Sequence, residues 1–491
     1  MKIMLIQTPW SSASATDFKK VAKKYANYPP LGLMYLTSYL ERAGHEADII
    51  DLELEGMEIA ELRQRVIDSK ADVIGITSST PIFHIVRKCA KELRSLNLPI
   101  IVGGPHITTV KEPCMTEEFD FGVVQEGEET LRELLDALSG GRDFSKIRGL
   151  MYKENGKVIV NPPRPFISDL DTLPYPARHK IHNLKYRFEI PGRGMVPVGT
   201  FELTRGCPFK CGFCSEPLNT GKLLRRRTPA YTVSEILDVK AKYGIEHFYA
   251  LDSTLTANRK LIEGFCRELI DRKANITWEG HTRANLIDEP LLLLLKEAGL
   301  IRMGFGVESG NKTVLKLMRK EVDPEAMRTA FALCGKHNIS TLCGVMMGNP
   351  GDTRATILES AWFIRSIPQV RYAALGIAIP YPGTELMEMA QRGMHGLKLL
   401  ETDFSKYSRY AGGVMEVDGM KPKELIVLQT LALVILHSTP SKILGLFQHF
   451  GFWNIMHAFF TRLHHIFVWC VLGRTPETDI AADNTTLANQ S

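Results

Sequence analysis

Apolar runs alternate with stretches of helical spacing through the first 140 residues. Lys2–Pro9 (KIMLIQTP) predicts a short buried strand, and Pro30–Gly44 spaces its apolar residues as a helix does and closes on glycine. The alternation continues through strand Ala47–Glu53, helix Ile59–Ser69, strand Ala71–Ser79, helix Ile82–Ser95, strand Pro99–Pro105 and helix Glu128–Leu138. Helices between successive strands predict a parallel sheet covered on both faces, so residues 1–140 are expected to form a doubly wound, flavodoxin-like or Rossmann-like α/β domain. Residues 141–195, rich in Pro and Asp, read as a linker. Six further strand-like runs follow: Thr200–Thr204, His247–Leu251, Thr277–Thr282, Ile301–Val307, Ser340–Met347 and Ala373–Ile379. With helices between them, residues 196–395 predict a partial (β/α)6 barrel whose site lies at the C-terminal ends of its strands. Residues 396–491 are expected to be a helical region ending in a disordered tail.

Composition narrows the class. The 491 residues, 44% hydrophobic, suffice for two or three domains, and a net charge of +5 is too mild for a nucleic-acid protein. Six of the nine cysteines stand apart, which argues against a disulfide framework and for a reducing cytosol. The N-terminal MKIMLIQTPW is too short an apolar run for a signal peptide.

The other three cysteines, Cys207, Cys211 and Cys214, lie in TRGCPFKCGFCSEP with the spacing C-x3-C-x2-C, directly after a predicted strand. Structural zinc wants a fourth ligand, and no Cys or His lies nearby to supply it. A redox pair of Cys211 and Cys214 is a second reading. A [4Fe–4S] cube held by three thiolates fits better, because it leaves one iron open to a substrate.

The C-x3-C-x2-C motif, with Phe213 before its last cysteine, resembles the signature of the radical S-adenosylmethionine superfamily. The resemblance implies that the methionine end of S-adenosylmethionine chelates the open iron, and that one electron from the cluster yields a 5′-deoxyadenosyl radical. It also implies an electron donor such as flavodoxin or ferredoxin. Further elements are similar to that superfamily: GVESG (Gly306–Gly310), GVMMGNPGDT (Gly344–Thr353) and GIAIPYPGTEL (Gly376–Leu386). They imply S-adenosylmethionine contacts at Glu308, Ser309, Gly344 and Gly348, with Phe213 beside the cluster and Arg283 pairing with a carboxylate. Where the superfamily often has a Gly-Gly-Glu element, this chain has YALDSTLTAN, leaving Asp252 as the acid for the methionine amino group.

The first domain resembles the cobalamin-binding domain that precedes the radical domain in one large subgroup. The similar stretches are YPPLGLMYLTSYLERAGH, ITSST, VGGPH and VVQEGEETL. The resemblance implies that Ser78, Ser79, Gly103 and Gly104 leave room for the cobalamin nucleotide tail in the crevice at the carboxyl ends of the strands. A flavodoxin-like domain with an empty crevice is the competing reading. The loop TPWSSASATDF carries no histidine, so cobalt is expected to lack a protein imidazole; Asp51-x-Glu53-x-x-Gly56 lies after the second strand and is taken as chance. Together the resemblances imply methylation of an unactivated carbon from methylcobalamin. The alternative is a non-methylating oxidative cyclase of the anaerobic tetrapyrrole type, and a third reading, a cobalamin sensor, has no use for the three cysteines.

The C-terminal region carries no cofactor motif. Leu425–Leu436 is too short to span a bilayer, while 443–473 repeats aromatics at helical spacing. Two readings stand: a helix packed on the barrel mouth, or an amphipathic helix at a membrane surface. The second suits an apolar substrate such as a lipid, isoprenoid or tetrapyrrole, and a cytoplasmic protein held at the cytoplasmic face of a membrane.

Overall fold

The computed structural model of the chain describes residues 1–9, 28–57, 59–141, 143–190, 193–407 and 413–450, with residues 456 and 460. The first sheet has seven strands: β1 (Lys2–Gln7), β2 (Glu46–Asp51), β3 (Val73–Thr77), β4 (Ile100–Gly103), β5 (Phe121–Val123), β6 (Leu150–Glu154) and β7 (Lys157–Val160). Their order is β2-β1-β3-β4-β5-β6-β7. β1 to β5 are parallel; β6 and β7 add an antiparallel hairpin.

Period-two alternation splits the strands between two cores. On one face Met4 and Ile6 pack with Leu62 and Val66 of helix Ile59–Ser69 and with Ile85 and Val86 of helix Phe83–Leu93. On the other, Ile3 and Leu5 pack with Leu33 and Leu40 of helix Leu31–Arg42 and with Leu131 and Leu134 of helix Glu128–Ser139. The sheet is thus covered on both sides, and the chain reverses its winding between β1 and β3. That switch point opens a crevice at the carboxyl ends of the strands.

The boundary expected at residue 140 falls inside this sheet. β6 and β7 belong to it, because the antiparallel hairpin satisfies the backbone groups along the free side of β5. The segment taken as a linker likewise supplies β8 (Arg187–Ile190) to the second sheet.

That second sheet adds β9 (Gly194–Phe201), then, past the short pair β10 (Thr204–Arg205) and β11 (Arg225–Arg226), β12 (His247–Ala250), β13 (Thr277–Thr282), β14 (Leu300–Glu308), β15 (Ser340–Met347) and β16 (Ala373–Ile377). The order is β16-β15-β14-β13-β12-β9-β8, parallel from β9 to β16, with helices between successive strands packed on the outside. It is the expected open half-barrel. Trp278 is buried against Phe201 and Phe265 on the helix side. Glu279 and His281, one residue out of phase, face the interior.

The region after residue 396 begins with a small antiparallel pair, β17 (Leu397–Leu399) and β18 (Met415–Val417), rather than with a helix. Helices Pro422–His437 and Pro440–Phe450 follow. Among the described residues no single helix is long and apolar enough to cross a membrane. Most of the aromatic stretch expected at 443–473 lies outside the described residues, as does the tail.

Candidate active site

The cysteine loop leaves the barrel at the carboxyl end of β9. Gly206 has φ +97°, and a Cβ there would stand 2.2 Å from the Leu223 carbonyl oxygen, so only glycine lets the chain pass beneath Gly221–Leu223. Cys207 then donates its N–H to the Gly221 carbonyl at 3.1 Å, Cys214 donates to the Cys211 carbonyl at 3.1 Å, and Gly212 donates to the Met318 carbonyl at 2.9 Å. These bonds hold all three cysteines on one loop against the barrel mouth. Cys207 is buried, with Thr254 Oγ1 3.8 Å from its sulfur; Cys211 and Cys214 are half-buried. Burial pushes the Cys214 thiol up to about 12. Three thiols on one loop, with no fourth protein ligand beside them among the described residues, suit a four-iron cube, which takes each thiolate on a separate iron and leaves one iron open, better than structural zinc, which wants four ligands.

The residues expected around S-adenosylmethionine divide. Phe213 packs half-buried on the barrel core beside the cysteines. Gly344 lies on β15 opposite Gly306 of β14, and the nearest atom to a Cβ there would be Phe305 O at 3.8 Å, so the backbone is bare toward the interior. Glu308 sits at a register shift in β14 with φ +64° and pairs with buried Lys320 at 3.2 Å.

Four others are engaged within the protein itself. Ser309 spends its hydroxyl on Ser360 Oγ at 3.0 Å and on the Asn311 N–H, which turns it toward the outer helix. Gly348, φ +78°, makes a turn against Val417, Ile377 and Leu425. Asp252 accepts from the Leu203 N–H at 3.0 Å and from Thr204 Oγ1 at 2.5 Å, so its two oxygens fasten the entry of the cysteine loop. Burial lifts this carboxyl to about 7, against the pull of those two donors. Arg283, expected on a carboxylate, instead donates from Nη1 to Cys211 Sγ at 3.3 Å and from Nη2 to the Lys320 carbonyl, with its guanidinium 4.0 Å over the Phe209 ring.

The barrel interior also holds residues that motif reading passed over. His281 lies flat where a side chain at residue 304 would be, since a Cβ on Gly304 would meet its Nδ1 at 2.1 Å. Burial lowers its pKa, which keeps the imidazole neutral. Its ring is 5.8 Å from Tyr249, which in turn meets Tyr28 of the first domain at 4.7 Å. Below them His247 and Arg302 flank Glu279 at 2.8 and 2.6 Å; despite burial these partners hold the carboxyl below its ordinary range. The signal was present in the sequence: Gly304 and Gly306 stand two apart on one strand and bare a single face.

Between the two sheets lies a cavity of about 740 Å³. Its floor is the switch-point crevice: Gln7, Thr77, Gly103, Gly104 and Gln125 follow four of the parallel strands. Gly75, Leu5 and Ile101 line it too, with Leu33, Leu36 and Leu131 of the covering helices. Gly103 and Gly104 line it. Ser78 and Ser79 do not: Ser78 is buried with its hydroxyl on the Gly103 carbonyl at 2.8 Å, and Ser79 is buried as well. Asp51, on the cavity wall, caps the short helix Leu52–Glu55 through its side chain, and Gly56 ends that helix at φ +56°; this accounts for the chance acidic motif. No histidine lines the cavity among the described residues, and residues 10–27 contain none. His106 is buried between Phe83 and Phe404, bonded to Thr80 Oγ1 at 3.1 Å.

The far wall comes from the second sheet's side: Glu202 and Arg205 just before the cysteines, Asn219 and Thr220 just after them, and Leu251. Arg205 bridges the domains, reaching Glu126 at 3.1 Å and Glu128 at 2.8 Å, with Glu202 at 2.8 Å on its Nε. The cavity thus reaches the chain on both sides of the cysteine loop.

Comparison with known proteins agrees with this geometry. The family profile described as B12 binding domain matches residues 20–135, and that described as Radical SAM superfamily matches 201–364. The chain is 32% identical over 458 residues to the uncharacterized methyltransferase PH0819 of Pyrococcus horikoshii, covering 92% of this chain and 96% of the relative. It is 29% identical over 439 residues to the anaerobic magnesium-protoporphyrin IX monomethyl ester cyclase of Rubrivivax gelatinosus, covering 87% and 75%. Its fold matches that of the radical S-adenosylmethionine methyltransferase TsrM from Kitasatospora setae, solved with cobalamin and a [4Fe-4S] cluster bound, at a TM-score of 0.67, 19% identity and coverage of 83% and 81%.

Proposed function

The chain belongs to the B12-binding radical S-adenosylmethionine enzymes and works with a [4Fe–4S] cluster, S-adenosylmethionine and cobalamin, and on that premise we propose that it methylates an unactivated carbon of a small, largely apolar molecule. The observation that carries the reading is the shared wall: residues on both sides of the cysteine motif line the cavity at the switch point of the first domain. When bound, the cluster with S-adenosylmethionine supplies a carbon-centred radical and cobalamin supplies a methyl group.

The chain's own residues then have distinct tasks. Cys207, Cys211 and Cys214 hold the cluster. Asp252 and Gly206 fix the path of the loop that carries them. Gly344 leaves the interior open, and Gly306 makes room for the Glu308–Lys320 pair. Gly103 keeps the slot in the first sheet clear, with no atom nearer than 3.7 Å to a Cβ there, while Gly75 and Gly104 line it. Tyr28 lines the cavity and also meets Tyr249 of the barrel, so one side chain borders both chambers and helps exclude water between them.

A lipid, isoprenoid or tetrapyrrole substrate met at the cytoplasmic face of a membrane is supported by exposed apolar side chains on the C-terminal helices. Leu431, Val434, Ile443 and Leu444 are all more than 40% exposed, as is Trp362 on helix Arg354–Arg365, which packs against the first of those helices. The electron donor is a small redox protein such as flavodoxin or ferredoxin. The cyclase reading has one observation in its favour, the relative named as a tetrapyrrole cyclase. Anaerobic incubation of the reconstituted protein with cobalamin, reductant, methyl-labelled S-adenosylmethionine and a cell extract separates the two. Label in a product supports methyl transfer; 5′-deoxyadenosine formed without transferred label would favour the cyclase type.

A further inference from the structure

Arg283 is a buried cation without an anion. It is 4% exposed, and among the described residues no carboxylate lies within ion-pair distance. Its Nε is buried with no hydrogen-bond partner. One nitrogen is spent on the Lys320 carbonyl and another on Cys211 Sγ, while the face of the guanidinium rests on Phe209, two residues before that cysteine. A lone buried charge costs several kcal/mol and persists where a counter-charge meets it. Glu308 is paired with the ammonium of Lys320, the residue whose carbonyl Arg283 bonds.

We propose that Arg283 is the counter-ion of the cluster and sets its reduction potential. This rests on the cluster assignment made above. A four-iron cube on three thiolates carries net negative charge and gains a further unit when reduced. A fixed cation donating an N–H to a ligand sulfur favours the more negative, reduced state, so it raises the potential. Hydrogen bonds to the sulfurs act in the same direction, and burial strengthens both effects. Delocalised charge and several donors suit arginine to this place: it bonds the sulfur and the Lys320 carbonyl at once and lies flat on an aromatic ring. Arg283 is in this account a positioning and tuning residue rather than the partner of the methionine carboxylate.

The test is a redox titration of the reconstituted full-length protein, followed by the paramagnetic resonance signal of the reduced cluster, with titanium(III) citrate as electron source. Iron content and circular dichroism are checked in parallel, and S-adenosylmethionine affinity is measured by equilibrium binding. In Arg283→Gln the reduced-to-oxidised ratio at a fixed potential is expected to fall at least tenfold, which for one electron is about 59 mV toward the negative. Affinity for S-adenosylmethionine should stay within about threefold of the wild type. Arg283→Lys keeps the charge and should recover most of the ratio. An unchanged midpoint in Arg283→Gln at full iron content would overturn the proposal, as would an Arg283→Lys midpoint shifted as far as that of the glutamine variant. If Arg283→Gln loses its fold with its bond to the Lys320 carbonyl, the lysine variant alone still decides: a tenfold fall there refutes the charge account. A wild type that takes up no iron would overturn the cluster assignment itself.

Discussion

Two glycines in one cavity call for different substitutions. At Gly104, φ is +96° and a Cβ would stand 2.6 Å from the Ser78 carbonyl oxygen, so any side chain there strains the backbone whether or not cobalamin is present. At Gly103 the nearest atom to a Cβ is 3.7 Å away, ordinary contact, and the cavity lies beyond. Gly103→Leu is therefore expected to keep its thermal midpoint and iron content while cobalamin affinity drops by tenfold or more; Gly104→Leu should lose stability in the absence of cobalamin too. The cysteines separate in the same way. Alanine at Cys207, Cys211 or Cys214 should abolish iron uptake and 5′-deoxyadenosine formation. Cys89→Ala and Cys334→Ala should spare both, since burial pushes each thiol up to about 12 and makes it inert. Asp252 predicts a pH dependence. Its carboxyl titrates near 7 in the fold against an ordinary 3.8, so the folded chain holds the proton where the unfolded chain has released it. Its contribution to stability is therefore greatest below about 4, declines as pH rises to about 7 and is level above that. Asp252→Asn has no such titration. The unfolding free energy of wild type minus that of the variant should fall across that window, by on the order of a few kcal/mol at most; a flat difference would show that the fold does not raise the carboxyl's pKa.

At the scale of elements, the strands and helices with strong periodicity were legible, and their ends fall within a few residues of expectation except at β9, which spans Gly194–Phe201 where Thr200–Thr204 was expected. β5, three residues long, was not: Phe121–Val123 is too short to show a period. Nor was the hairpin of β6 and β7, exposed along much of its length and set in a segment whose prolines suggested a linker. The cysteine spacing was readable because one loop carries the whole motif. The cofactor walls were less so, because each is a single residue at the end of a different strand, and whether its side chain turns inward depends on register. Ser309 and Gly348 illustrate this: each follows an inward-facing strand, and each turns away just past its end. β14 shows what register achieves when it is kept. Gly304 yields its place to His281 and Gly306 yields its place to the Glu308–Lys320 pair, since a Cβ on Gly306 would stand 2.4 Å from Glu308 Oε1 and 2.9 Å from Lys320 Nζ. Gly306→Ala should displace that pair with little effect on the strand itself. S-adenosylmethionine affinity, measured by equilibrium dialysis, is then expected to fall by about tenfold or more while the thermal midpoint changes modestly; unaltered affinity would remove Glu308 from the cofactor site.

At the scale of the molecule, the two domains meet in one cavity, and neither closes it alone. Arg205 is the joint, with Glu126 and Glu128 from the first domain and Glu202 from the second, all nearly buried. Removing Arg205 leaves Glu128 and Glu202 without their cation, while Arg225 still meets Glu126 at 2.6 Å, and breaking such a buried set costs about 3–5 kcal/mol. Arg205→Met should thus loosen the domains and weaken cobalamin binding together, although it is distant in sequence from the first domain. A fragment ending near residue 165 keeps the whole seven-stranded sheet but lacks Glu202, Arg205, Asn219, Thr220 and Leu251. It should bind cobalamin, and more weakly than the full chain. The lower face of cobalt is the sharpest readout of how the cofactor sits. The slot between β1, β3, β4 and the helices Leu31–Arg42 and Glu128–Ser139 opens from the switch-point crevice, and a nucleotide tail seated there would draw its own base off the metal. No histidine lines the cavity to replace it among the described residues, and the loop after β1 has none to offer. The paramagnetic resonance spectrum of the cob(II)alamin form in the full chain should accordingly show no nitrogen superhyperfine splitting on cobalt. Splitting that persisted in wild type would place an imidazole or benzimidazole on the metal, and the tail would then lie outside the slot.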